Sequence, residues 1–216
     1  MHFKDRADAG QKLAEKLLEY RENNPMILAL PRGGVPVGFE VAKALNAPLD
    51  IIVVRKIGAP SNPEFGVGAI APGVLILDTE TLNSLGLKPE DMTHTIEEER
   101  KEMERRITKY RSGEWHRGAA KETIVVVDDG LATGVTARAA LESARKTYNP
   151  KKIIFAAPVA ARQSLESLKP YADQIVCVSK PENLMAIGEW YEDFPQTKDE
   201  EVLDYLEKIY NETGQP

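Results

Sequence analysis

A chain of 216 residues, 42% hydrophobic and 29% charged, has the composition of a soluble globular protein, which excludes disordered and fibrous classes. Its formal net charge of −6 leaves no overall basic field for a phosphate backbone, so small molecules rather than nucleic acid are the expected partners.

The amino terminus "MHFKDRADAG" has no apolar stretch of signal-peptide length, and no run anywhere approaches the ~20 apolar residues of a membrane span, so no membrane role is expected. From about Asp5 to Glu22 the pattern is helical, with Leu13, Ala14, Leu17 and Leu18 on one face. Short, continuously apolar segments then alternate with helical ones. Strands are expected at "MILAL" (26–30), "LDIIVV" (49–54), "VLIL" (74–77), "TIVVV" (123–127), "KIIFAA" (152–157) and "QIVCV" (174–178). Helices are expected over about 35–45, 135–147 and 161–168, each after a strand. This βαβ rhythm predicts an α/β fold, a mostly parallel twisted sheet with helices on both faces. Two segments break the rhythm. Residues 79–118 are too long for a simple crossover and carry a narrow apolar stripe of Ile96, Met103, Ile107 and Tyr110, which reads as a helical excursion serving as a lid or an oligomer contact. The Pro-, Gly- and aromatic-rich segment from Lys180 to Pro195 reads as loop lying over something, before a last helix from about Thr197 to Tyr210. The lone cysteine, Cys177, has no internal disulfide partner and reads as a buried strand residue, which suits a reducing compartment and a cytoplasmic location.

Ligands of open parallel sheets bind at the carboxyl ends of strands, and the stretch "TIVVVDDGLATGVT" places two carboxylates there. Gly130, Ala132 and Gly134 let a ligand approach the backbone, Thr133 and Thr136 add hydroxyls, and the helix opening near Val135 supplies free N–H groups and the positive end of its dipole. Carboxylates beside a phosphate site make sense if the ligand carries cis hydroxyls close to its phosphate, as a ribose 5-phosphate does. No Walker A loop is present, and "RGGVPVG" and "GVGAIAPG" both miss the dinucleotide glycine spacing.

The segment "VVVDDGLATGVT" resembles the phosphoribosyl pyrophosphate (PRPP) signature of type I phosphoribosyltransferases. The resemblance implies that Asp128 and Asp129 grip the ribose hydroxyls while Gly130, Leu131, Ala132, Thr133, Gly134, Val135 and Thr136 bind the 5-phosphate. "ALPRGGVPVG" resembles the family's pyrophosphate loop, Pro31 to Gly34, with Arg32, Gly33 and Gly34 presenting backbone N–H groups and a guanidinium. "VRKIGAPSNPEFGVGAI" resembles the position of its flexible catalytic loop, with Arg55 and Lys56 placed to meet the pyrophosphate and Glu64 placed for proton work on the acceptor. "IGEWYEDFPQTKDEEV" resembles the hood of a subgroup whose acceptor is unassigned, where Trp190, Tyr191 and Phe194 either stack on a flat acceptor or pack the last helix onto the body. The implied architecture is one domain over 1–216. It has a Rossmann-like core (about 1–78 and 119–179), the helical insertion, and a hood with its helix (about 180–211).

The implied activity is transfer of the 5-phosphoribosyl group of PRPP to a nitrogen acceptor, such as a nucleobase, with release of pyrophosphate. Magnesium would act mostly through the ligand's own oxygens, with Asp128 and Asp129 the carboxylates at hand, since His2, His94 and His116 lie outside every motif and no metal cluster is written in the sequence. Ala132 stands where hypoxanthine-guanine enzymes carry a candidate base aspartate, which weakens a 6-oxopurine acceptor. The other functional class left open is a PRPP-binding sensor without turnover. The resemblance and the amphipathic excursion also leave room for a homodimer.

Overall fold

The fold is seen in a computed structural model of the chain, which describes residues 2–112 and 122–213. In chain order the elements are α1 (Arg6–Leu17), β1 (Met26–Ala29), α2 (Gly34–Leu45), β2 (Leu49–Ile51), β3 (Arg55–Ala59), β4 (Asn62–Ala71), β5 (Val74–Leu77), α3 (Thr79–Ser84), α4 (Thr93–Tyr110), β6 (Thr123–Val127), α5 (Val135–Tyr148), β7 (Lys152–Val159), α6 (Arg162–Leu168), β8 (Gln174–Ser179) and α7 (Asp199–Thr213). The expected class is found: five parallel strands in the order β2-β1-β6-β7-β8, flanked by helices.

Strand periodicity sorts the side chains into two layers. Val125 and Val127 of β6 face one way, into a cluster with Leu13 and Leu17 of α1, Val41 of α2 and Val202, Leu206 and Ile209 of α7. Ile124 and Val126 face the other way, against Ala137, Ala140, Leu141 and Ala144 of α5 and Leu165 and Leu168 of α6. All five residues of β6 are buried, as a central strand covered on both faces requires. Helix boundaries follow local chemistry. Asp5 caps α1 by accepting the Asp8 N–H at 2.8 Å, and Asn46 and Asn149 end α2 and α5 in the left-handed conformation that asparagine tolerates.

One expectation changes. The glycine- and proline-rich stretch after β2 is not an open loop but a β-hairpin, β3 and β4, which β5 extends into a three-stranded antiparallel sheet. "VLIL" is therefore an edge strand of this second sheet, with Leu75 exposed, and not a strand buried on both faces of the parallel one. The small sheet lays Ala69, Ala71 and Ile76 on Ala139 of α5. The excursion is helical as expected: α4 packs on β3, β4 and α7. Its Glu102 takes both Arg105 and Arg106, which draws that carboxyl down to about 2 as their hydrogen bonds outweigh its partial burial, while Glu97 pairs with Arg100. The end of the expected 79–118 insertion, with His116, lies outside the described residues.

Candidate active site

The strand order sets the site. β1 lies between β2 and β6, so the chain runs outward from β1 in one direction and resumes on its other side. At such a switch point the loops leaving the two neighbouring strands part and leave a crevice at the carboxyl edge. The loops here are Pro31 to Gly34 after β1 and Asp128 to Gly134 after β6, the two stretches singled out by sequence.

The second loop is bare of internal partners where a ligand would need it. The Leu131 N–H is spent on the Val159 carbonyl at 2.9 Å, and the Arg138 N–H on that of Gly134 at 2.9 Å. The N–H groups of Ala132 to Ala137 between them find no acceptor among the described residues. Gly134 starts α5 with φ +88°, a left-handed turn that suits glycine and aims successive amides into one concavity. The Ser164 hydroxyl donates to the Ala132 carbonyl and fixes the loop from behind. A cleft of about 500 Å³, lined in part by Thr133, Gly134, Val135 and Arg138, opens beside it. An anion is the natural occupant of a concavity built this way.

The first loop presses against the acidic pair. A Cβ on Gly34 would lie 2.8 Å from the Val127 carbonyl and 3.2 Å from Asp128 Oδ1, and one on Gly33 would lie 1.9 Å from Asp129 Oδ2. The Pro31–Arg32 peptide is cis. The N–H of Gly34 is committed to the Leu30 carbonyl at 3.0 Å, so of the three amides expected to face pyrophosphate only those of Arg32 and Gly33 lack an acceptor among the described residues. Arg32 extends its guanidinium toward Asp199 at the start of α7, with Nη1 3.6 Å from Oδ1.

The two aspartates differ in their surroundings. Asp128 takes the Asp129 N–H on Oδ1 at 2.9 Å, and its Oδ2 has no donor among the described residues. Asp129 is only 8% exposed and receives Arg6 Nε on Oδ2 at 2.8 Å. Burial, together with the charge of Asp129, holds the Asp128 carboxyl well above the usual range. Asp129 is also raised by burial, but Arg6 opposes the rise.

The other expected residues fall elsewhere. Arg55 pairs with Glu99 of α4 at 2.7 Å, and Arg55 and Lys56 line a cavity of about 590 Å³ between the hairpin and α4, to which neither ligand loop contributes. The side chain of Glu64 lies outside the described residues. Tyr191 is not an open stacking face: it is buried, donates its hydroxyl to the Asp129 carbonyl at 2.6 Å, and packs between Phe3 and Phe194. Phe194 carries the Arg6 guanidinium 3.8 Å above its ring. Trp190 stacks on His2, with centroids 5.6 Å apart. Among the described residues no group of three His, Cys, Asp or Glu forms a metal cage. Cys177 is buried as expected, and burial pushes its thiol up to about 11.

Arg6 is the member of this cluster that sequence reasoning did not find. It sits 123 positions from its partner, on the first turn of an amphipathic helix, where nothing local marks it.

Fold and site together define an α/β protein with two loops of unpaired amides at the switch point of its parallel sheet. A family model of the phosphoribosyl transferase domain matches residues 3–191, and the chain belongs to that family. A Mycobacterium tuberculosis protein named "Putative phosphoribosyl transferase Rv0571c" is 39% identical over 211 residues, which are 97% of this chain and 47% of that protein, so the chain spans about half the length of the curated relatives it matches. The crystal structure of TT1426 from Thermus thermophilus is 37% identical, covers 97% of this chain and 99% of that one, and superposes with a TM-score of 0.79. The AQ2163 protein of Aquifex aeolicus, 14% identical with a TM-score of 0.52 over 85% of this chain and 78% of that one, shares the fold.

Proposed function

We propose that the protein transfers the 5-phosphoribosyl group of PRPP to a nitrogen acceptor, with release of pyrophosphate. The observation that carries this reading is the set of unclaimed polar groups on the two loops that leave neighbouring strands β1 and β6. The amides of Ala132 to Ala137 form one anion nest, those of Arg32 and Gly33 form another, and Asp128 Oδ2 stands at the strand end with them. PRPP offers a 5-phosphate, a cis diol and a pyrophosphate to match. Departure of pyrophosphate leaves an oxocarbenium-like ribose, and the work of the chain is to hold the polyanion, orient the diol and exclude water. The donor set suits a hard divalent cation carried in by the ligand, since Asp128 supplies a free carboxylate oxygen and no all-protein cage is needed; magnesium so bound supplies charge neutralisation of the leaving group.

A specific observation supports a second reading, a PRPP sensor. Arg55 and Lys56 line a cavity away from the ligand loops and Arg32 is drawn to Asp199, so the cations expected at the leaving group are turned elsewhere. A transferase of this geometry requires the hairpin to move in the working complex.

Titration with PRPP and magnesium, followed by a pyrophosphate-release panel of nucleobases and small amines, tests both. Binding with release for one acceptor supports the transferase, binding without release across the panel favours the sensor, and no binding removes both. Asp128→Asn is expected to weaken PRPP binding by ~10-fold or more, as loss of a charge-assisted contact to the diol implies.

A further inference from the structure

We infer that α4 is an autoinhibitory clasp: it holds the two arginines expected at the leaving group away from it, Arg55 through Glu99 and Arg32 through Asp199, so that a pyrophosphate-bearing ligand must draw both from carboxylates. The inference deepens the PRPP reading by a regulation of that same site and rests on it.

One stripe of α4 carries both ends of the clasp. Tyr110 follows Glu99 by eleven positions, about three helical turns, and Met103 and Ile107 lie between them on the face packed into the body. At the first end Glu99 Oε2 accepts Arg55 Nε at 2.7 Å, a single-point hold that leaves both Nη groups of Arg55 without an acceptor among the described residues. At the other end the Tyr110 hydroxyl donates to Asp199 Oδ1 at 2.6 Å and Lys109 Nζ to Oδ2 at 2.9 Å, which fixes that carboxylate beside Arg32. Both oxygens of Asp199 thus have donors from α4, and Arg32 Nη1, 3.6 Å from Oδ1, is attracted without being hydrogen-bonded.

Both arginines start close to the strand ends that carry the site. Arg32 belongs to the loop after β1. Only Val53 and Val54 separate Arg55 from Ile52, whose N–H is fixed to the Ala29 carbonyl at 3.0 Å, two residues before that same loop. Ile57, Val67 and Ile70 root the hairpin in the core, so release frees the Arg55 side chain and the exposed tip from Pro60 to Pro63 while the sheet stays in place. Arg55 and Glu99 are 27% and 23% exposed, and an ion pair so placed is weak enough for a polyanion to break. The clasp therefore sets a threshold rather than a block: the state with its arginines free is a fraction of the population, and the apparent affinity falls by that fraction. Removing the restraint should strengthen binding, which structural damage does not do.

The experiment titrates inorganic pyrophosphate and PRPP, each with magnesium, into wild type, Glu99→Gln, Asp199→Asn, Glu98→Gln, Arg55→Gln and the Glu99→Gln/Arg55→Gln double variant, with thermal melts of each. Glu99→Gln is expected to bind both ligands ~2–5-fold more tightly than wild type. Asp199→Asn should tighten binding by a similar factor although it melts earlier. Glu98 borders the same cavity and pairs with His94, so Glu98→Gln removes a like charge without touching the clasp and should bind as wild type does. In the Arg55→Gln background the gain from Glu99→Gln should vanish. A Glu99→Gln protein that binds no more tightly than wild type overturns the clasp, as does a gain that survives the loss of Arg55 or is matched by Glu98→Gln. If Asp199→Asn folds and does not tighten binding, the clasp is likewise overturned; if it does not fold, Glu99→Gln decides alone. Failure of wild type to bind either ligand overturns the site reading together with the clasp, whereas the outcomes above, with wild-type binding intact, overturn the clasp alone.

Discussion

At the scale of single residues the site depends on close approach. Gly33 and Gly34 are small because the acidic pair occupies the space beside them, and the 1.9 Å between a Cβ at position 33 and Asp129 Oδ2 is far inside van der Waals contact. The carboxylate cannot swing away freely, because Arg6 holds its other side. Gly33→Ala is therefore expected to lower the unfolding free energy by about 1–3 kcal/mol, in the range of an overpacked interior, and to weaken PRPP binding together with it. Urea unfolding and PRPP titration on one preparation check this. An alanine variant with both properties intact would mean that the carboxylate yields without cost. Gly134 is a different case. Its φ of +88° is a backbone requirement, and a Cβ there meets nothing closer than 3.4 Å, so Gly134→Ala should act through strain in the amide nest and affect the 5-phosphate more than the stability of the body.

At the scale of elements, the parallel sheet was legible because its signal is local. "TIVVV" and "KIIFAA" are continuous apolar runs, and their burial on both faces needs no knowledge of neighbours. The two strand-end loops were legible as loops for the same reason, as each is one contiguous stretch. The hairpin β3–β4 was not, because its glycines and prolines give it the composition of a loop. Those glycines answer to partners distant in sequence or across a turn: a Cβ on Gly58 would lie 2.1 Å from the Pro63 carbonyl, and one on Gly68 would lie 2.2 Å from that of Ile76. Register shifts at Ile57 to Ala59 further break the strand alternation that a periodicity reading depends on. Arg6, the Arg32–Asp199 contact and the burial of Tyr191 escaped for a related reason, since each is set by chains meeting across the fold. Gly68→Ala tests the hairpin as a separate element. It should pry β5 from β4 and lower the melting temperature by several degrees, about 1–3 kcal/mol, while leaving PRPP affinity within a few-fold of wild type because both ligand loops belong to the parallel sheet. A comparable loss of PRPP affinity would mean that the hairpin already contributes to the ground-state site.

At the scale of the molecule, the insertion, the last helix and the Pro31 to Gly34 loop meet at Asp199. Its carboxylate accepts the Tyr110 hydroxyl at 2.6 Å and Lys109 Nζ at 2.9 Å from α4, and lies 3.6 Å from Arg32 Nη1. Partial burial alone would raise its pKa. The hydrogen bonds from Tyr110 and Lys109 and the charges of Lys109 and Arg32 outweigh that burial and bring it from 3.8 down to about 2. A carboxylate depressed in the folded state binds its proton more tightly when unfolded, so its contribution is complete above the unfolded value of 3.8 and is lost as pH falls toward 2. The size of the shift corresponds to on the order of 2 kcal/mol. Asp128 and Asp129, raised rather than lowered, have the opposite sign: their folded state takes up protons more readily, so their contribution favours stability as pH falls. That effect is common to wild type and an Asp199 variant and cancels in the difference. Asp199→Asn should accordingly be less stable than wild type by about 2 kcal/mol at pH 7. The gap should hold down to about pH 4 and narrow steadily below it, as urea unfolding at a series of pH values would record. A gap that stays constant through the acid range would mean that Asp199 joins the three elements by hydrogen bonding and packing, with no share from its charge.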